Sequence, residues 1–289
     1  MKYIVSLMLG GLLFTGSLNA QNLANNSPRI LDEIAVVTGT AEDDAGTITT
    51  RELALMENSM NDYSTTVWSR EIYRQIGAGV KGNETFFNPA QSTGDNINLF
   101  SMIINLVSTS TVPIYKYTAQ PDMSDENRLT GTEALRESVI PFQIEGGNKI
   151  VVKKEDIPSA SIKYYLVKER WYFDTKTSKG DIRVTHICPV LFEKGRYYPL
   201  FWVSFDDLSV YLQRTPSSLE VSNIKPVLSN VSMFDVIRSR YYRGCIYQVG
   251  LRHLSVFFPT MEGLIKERER IEDELDYIQT KFYDALRRR

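Results

Sequence analysis

Groups able to carry bond chemistry are few in this chain and poorly placed to cooperate. The two histidines, His186 and His253, lie far apart in segments of different character. No HExxH, CxxC, GxSxG, P-loop or GxGxxG spacing occurs. His186 falls in the alternating run Ile182, Val184, His186, Cys188, Val190, with Arg183 and Thr185 on the opposite side. That spacing reads as a hydrogen-bonded core imidazole rather than a catalytic base. Asp206-Asp207 follows a strand-like run, but adjacent residues at a strand end point apart, whereas a glycosidase needs two carboxylates facing each other across a cleft. Capping of a following helix accounts for them. No catalytic residue, cofactor-binding residue or metal ligand is therefore assigned, and no cofactor is expected. Cys188 and Cys245 are too few for a disulfide framework; one bridge between them stays open in an oxidising compartment.

Arginine and aromatic residues are more informative. The segment Trp68-Ser69-Arg70-Glu71-Ile72-Tyr73-Arg74 places Arg70 and Arg74 at i and i+4, one face of a helix. Ile237-Arg238-Ser239-Arg240-Tyr241-Tyr242-Arg243 has the same flavour. Periodicity favours a solvated basic face with aromatics tucked beneath it. The sharper alternative is a protein contact surface, where Arg and Tyr are enriched, and it makes Arg70, Arg74 and Arg240 candidate partner-contact residues.

These residues need elements to hold them. Trp68, Ile72 and Ile76 recur every fourth residue, so a helix capped by Asp62 or Ser64 and closed by Gly77 is expected, followed by a loop over 82–94. Leu99, Met102, Ile103 and Leu106 mark a second amphipathic helix. A hairpin follows, with Ile140 to Ile144 and Lys149 to Lys153 flanking Gly146-Gly147-Asn148. Three longer β-type runs, 162–174, 180–192 and 196–205, have the spacing of a meander, giving about five antiparallel strands. Phe234, Ile237 and Tyr241 then form a helical stripe with Ser232 as cap and Gly244 as stop. The chain ends in a heavily charged helix over 261–289 with an apolar seam of Ile271, Leu275, Ile278 and Phe282, interrupted by Arg268. That seam suits packing within the chain or docking on a partner, so Leu275, Ile278 and Phe282 join the candidate contacts.

The first twenty residues read as an export signal: Lys2, an apolar run from Tyr3 to Phe14, and a short stretch ending at Ala20. The apolar run is too short to cross a bilayer, and no cysteine follows it to accept a lipid, so no direct membrane anchor is expected. A formal net charge of −2 gives no electrostatic reason to propose nucleic acid as a partner. The expected organisation is a signal over 1–20, an extended arm over 21–60 with an apolar patch at Ile34 to Val37, an α+β core over 61–250 and a helical segment over 251–289. The fold class is α+β: an antiparallel sheet of about five strands flanked by helices.

Several segments, in order, resemble the GldN/PorN family of the gliding-motility and type IX secretion apparatus. They are Val67 to Arg74 (VWSREIYR), read as a helix; Phe86-Phe87-Asn88-Pro89; Asn98 to Tyr117; Glu169 to Val190 (ERWYFDTKTSKGDIRVTHICPV); Leu200 to Val203; and Ser232 to Arg243 (SMFDVIRSRYYR). The resemblance runs from about Val67 to Gly250, while the arm and the tail match poorly. It implies a non-enzymatic periplasmic protein held peripherally at the outer membrane. Self-association and assembly with a GldK/PorK-type lipoprotein would form a ring, contacted by the periplasmic part of a GldM/PorM-type motor. The alternative from a different class is a periplasmic enzyme or ligand-binding module with a pocket edged by Trp171, Tyr172 and Trp202.

Overall fold

The computed structural model describes residues 66–91, 97–146, 149–174, 179–215 and 232–287. The expected signal, the arm, the caps Asp62 and Ser64, the turn residues Gly147 and Asn148, and the side chain of Phe282 lie outside the described residues.

The strands are β1 (Thr66–Gly77), β2 (Ile114–Lys116), β3 (Arg128–Leu129), β4 (Gln143–Glu145), β5 (Lys149–Val151), β6 (Ile162–Asp174), β7 (Lys179–Glu193), β8 (Arg196–Pro199), β9 (Phe201–Ser204), β10 (Gly244–Val249) and β11 (Arg252–His253). The helices are α1 (Glu84–Phe87), α2 (Leu99–Ser108), α3 (Gly131–Glu137), α4 (Phe205–Arg214), α5 (Met233–Arg238), α6 (Leu254–Phe257) and α7 (Met261–Arg287). Among the described residues nine strands form one antiparallel sheet in the order β11-β10-β1-β6-β7-β9-β2-β3, with β8 pairing β7, while β4 and β5 form a separate hairpin. The class is α+β, but the sheet is larger than the expected five strands. Of four strands missed, β2, β3 and β11 are only two or three residues long, and β10 does not alternate because Ile246, Tyr247 and Gln248 are buried in succession. The fifth is β1, read as a helix.

β1 is the main correction. A spacing of four is a multiple of two, so Trp68, Ile72 and Ile76 share one face of a strand as well as one face of a helix. The deciding feature is Tyr73, fully buried on the opposite side, which a one-sided amphipathic helix would leave wet. β1 lies between β10 and β6 with both flanks hydrogen-bonded, Ile72 pairing Val249 and Glu169. Tertiary pairing thus overrides the helical pattern.

One face of the sheet, carrying Ile76, Tyr165, Val167, Val184, Ile187 and Val203, packs under α2, α3, α4 and α5. At its other end Ile72, Trp171 and Ile246 pack under Leu254 of α6 and Ile271 and Leu275 of α7. The second face carries Tyr73, Leu166, Cys188, Val190, Trp202 and Tyr247. It is covered by the chain after β2: Trp202 Nε1 donates to the Thr118 carbonyl at 2.9 Å, and the Tyr117 ring stacks on Trp202 at 5.9 Å. A bulge at Thr185, where Lys168 pairs His186 but Glu169 pairs Val184, splits the run expected to share one face. Val184 stays on the helix-covered face, and His186, Cys188 and Val190 switch to the other.

One helix cap follows the sequence: Ser232 forms a capping box with Asp235 at the start of α5. Asp206 and Asp207, expected to cap α4, stand inside its first turn, where they complement the helix dipole; the cap position is Ser204, which makes no side-chain cap hydrogen bond, and Asp206 pairs with Arg183. α5 ends sooner than its stripe suggested, because Arg240 takes a left-handed φ of 57° and the chain turns into β10 at Gly244. Gly244 is required by close approach, not as a helix stop: a Cβ there would lie 3.0 Å from the Gln75 carbonyl oxygen.

Candidate functional site

Glu169 is a carboxylate on the helix-covered face of a central strand, fully buried between Val167 and Trp171. Burial alone would hold it protonated, so it must be compensated. Arg74 Nε lies 3.1 Å from the carboxylate and Trp171 Nε1 donates at 3.0 Å, while Arg240 Nε donates at 3.1 Å and the Tyr242 hydroxyl at 2.8 Å. Desolvation raises the carboxyl, but Arg74 and Arg240, with the hydrogen bonds from Trp171 and Tyr242, win and hold it at about 2. The Arg240 guanidinium also lies 4.9 Å over the Trp171 ring.

Arg74, itself 5% exposed, reaches the other way as well. Its two terminal nitrogens engage Glu272 of α7 in a bidentate pair, and Nη1 also donates to the Gly244 carbonyl at 3.3 Å. Arg70, four residues earlier on the same strand face, donates to Glu274 at 2.7 Å. Arg268, which interrupts the α7 seam, donates its Nε to the Ile246 carbonyl at 2.7 Å. The seam break is thus a tie from α7 to β10. Leu275 is fully buried beside Ile271, and Ile278 is half-buried.

The structure therefore brings Arg70, Arg74, Arg240 and Leu275 together, on one side of the sheet and against α7. The first two share a strand face, not the helix face inferred for them. Sequence reasoning missed Glu169, Tyr242, Glu272 and Glu274. The one legible signal was Glu169 itself, an acid in register with Tyr165, Val167 and Trp171 on a strand's apolar side.

The histidine His186, the cysteines and Asp206 stand apart from this cluster. His186 bonds the Thr185 hydroxyl at 2.9 Å, and burial, with Lys168 nearby, lowers it to about 3, so it is a neutral imidazole. Cys188 and Cys245 are free thiols, and burial pushes the Cys188 thiol up. Asp206 pairs with Arg183 at 2.7 Å. Among the described residues no group of His, Cys, Asp and Glu is arranged to hold a metal ion. Trp171, Tyr172 and Trp202 are 2%, 5% and 0% exposed, so they are core residues and edge no opening. A depression of about 390 Å³ does exist elsewhere, lined by Val107, Ile114, Asp125, Arg128 and Thr130.

The geometry of the buried cluster is thus that of a clasp: one carboxylate draws β1, β6 and the turn after α5 together, and Arg74 passes the tie on to α7. No curated protein matches the chain. The family model for "Gliding motility associated protein GldN" matches residues 61–284, which includes every member of the clasp. This chain belongs to the GldN family of gliding-motility-associated proteins.

Proposed function

We propose that the protein is a non-enzymatic structural component of the gliding and type IX secretion apparatus. It works in the periplasm, peripherally at the outer membrane. In this reading it self-associates, builds a ring with a GldK/PorK-type lipoprotein, and is contacted there by the periplasmic part of a GldM/PorM-type motor. Family membership supports the gliding role. The observation that carries the mechanical reading is the clasp. Its ionisable groups are held by one another, with Glu169 at a pKa too low for a base at neutral pH, and their product is a long helix tied to a sheet. In this reading the several ties between α7 and the sheet let the two move as one under load.

No described helix is long and apolar enough to cross a membrane, so in this reading a partner holds the chain at the envelope. Affinity purification from detergent-solubilised envelopes tests it. Recovery of an outer-membrane lipoprotein and motor subunits in a very large assembly is the expected result. A small, clean species with no envelope partner would overturn it.

A further inference from the structure

The second face of the sheet is closed by chain with almost no backbone ties. Between β2 and Ser124, residues 117–123 lie against it, Tyr117 and Met123 packing on the cluster of Tyr73, Leu166, Cys188, Trp202 and Tyr247. Over 118–123 no backbone group joins a backbone–backbone hydrogen bond among the described residues, and Pro121 has no amide donor to give. Side-chain bonds hold the segment instead. Trp202 Nε1 donates to the Thr118 carbonyl at 2.9 Å, Gln248 Nε2 to the Ala119 carbonyl at 3.3 Å, and Gln120 Nε2 to the Gly250 carbonyl at 3.2 Å. All three are neutral, unlike the ion pairs that hold α7.

Beneath the segment, closure carries a penalty. The Tyr247 hydroxyl is buried and has no hydrogen-bond partner among the described residues. Burial, with Tyr117, Cys188 and Tyr73 nearby, pushes this hydroxyl up. A buried hydroxyl without a partner has given up its bond to water, and it regains that bond once its cover lifts. Lifting the cover also breaks no ladder. β2 keeps its pairs with β9 through Ile114, Tyr115 and Lys116, and the turn at Asp125–Asn127 lies beyond the segment. Segments with few backbone bonds and few apolar anchors open by themselves, well below the free energy of global unfolding.

We propose that residues 117–123 form a strap that opens as a unit while the clasp and the sheet stay folded, uncovering the Cys188 thiol and the rings of Tyr73, Trp202 and Tyr247. Trp202, Gln248 and Gln120 hold the strap shut, and the Tyr247 hydroxyl biases it open. The device does not depend on the assembly proposed above. Cys188 reports the motion, because it is fully buried beside Tyr117. The test is native-state thiol labelling of the mature chain carrying Cys245→Ser, which leaves Cys188 as the one thiol, with urea denaturation alongside. Where closing outpaces modification, the rate follows the open fraction. Cys188 should label without urea, at a rate that rises only weakly with urea below the unfolding transition, since a local opening exposes little surface. Gln120→Ala and Gln248→Ala should each speed labelling about fivefold, the loss of one neutral hydrogen bond, and Tyr247→Phe should slow it by about the same factor. Leu275→Ala and Glu169→Gln weaken the fold elsewhere, in the closed and open forms alike. They should lower the urea midpoint and leave the labelling rate unchanged. Labelling that climbs with urea as steeply as global unfolding, or that quickens in Leu275→Ala by the whole loss of stability, would overturn the strap, because the face would then open only with the entire chain. Rates indifferent to both glutamine variants would overturn it as well, and a Tyr247→Phe chain that labels no slower than the parent would remove the hydroxyl's role.

Discussion

At the scale of single residues, the clasp depends on Glu169. Removing its carboxylate takes the buried partner from Arg240 and leaves the nearly buried Arg74 with Glu272 as its one carboxylate, and breaking a buried pair from one side costs about 3 to 5 kcal/mol. Glu169→Ala should lose about that much in chemical denaturation. The acid behaviour follows from the pKa directions. Glu169 is depressed to about 2, so its contribution is complete above the unfolded carboxyl value and is lost as pH falls toward 2. His186 is also depressed, to about 3, so the fold resists its protonation; stability begins to fall below the unfolded imidazole value near 6.5 and continues to fall toward 3. Two windows result. In melting profiles against pH, His186→Gln should flatten the decline between about pH 6 and pH 4, and Glu169→Gln should flatten it only below about pH 4.5. Coincident windows would show that one of the two groups is not held as described.

At the scale of elements, α7 is secured by two different forces. Leu275 and Ile271 supply the apolar contact; Leu275→Ala should cost about 2 to 5 kcal/mol. Glu272 engages Arg74, which is nearly buried, whereas Glu274 engages the more exposed Arg70. Charge removal should therefore be unequal. Glu272→Gln should raise amide hydrogen exchange along α7 while β6 and β7 stay protected, and Arg70→Gln should change it by about 0 to 1 kcal/mol at most. Equal effects would mean that burial does not grade the two ties. α7 was legible from its charge and period, and so were the long strands β6 and β7, because each spans enough residues to show its repeat. β1 was not, since spacings of four serve both periods and only pairing with β6 and β10 selects one. The bulge at Thr185 was invisible as well, because an extra residue in one strand is defined by the strand opposite.

At the scale of the whole molecule, α7 is part of the core rather than an appendage. Ending the chain before Met261 would uncover Ile72, Trp171 and Ile246 and strip Arg74 of Glu272. Such a truncation should fail to give a cooperative thermal transition and should expose apolar surface to a hydrophobic dye. A truncated chain that melts cooperatively at the parent's temperature would show α7 to be dispensable for the fold.

By itself the sequence determined the class of the fold, the long strands, the Ser232 cap and the charged terminal helix. These are local repeats or local hydrogen bonds, written in neighbouring residues. It also carried the family, through the order of short segments from Val67 to Arg243. Only the tertiary structure decided what Arg70, Arg74, Arg240 and Leu275 touch. A guanidinium on a strand and a carboxylate on a helix 204 residues later, as with Arg70 and Glu274, share no local pattern. Their pairing exists because the chain must neutralise charges that the packing of its apolar neighbours has already removed from water.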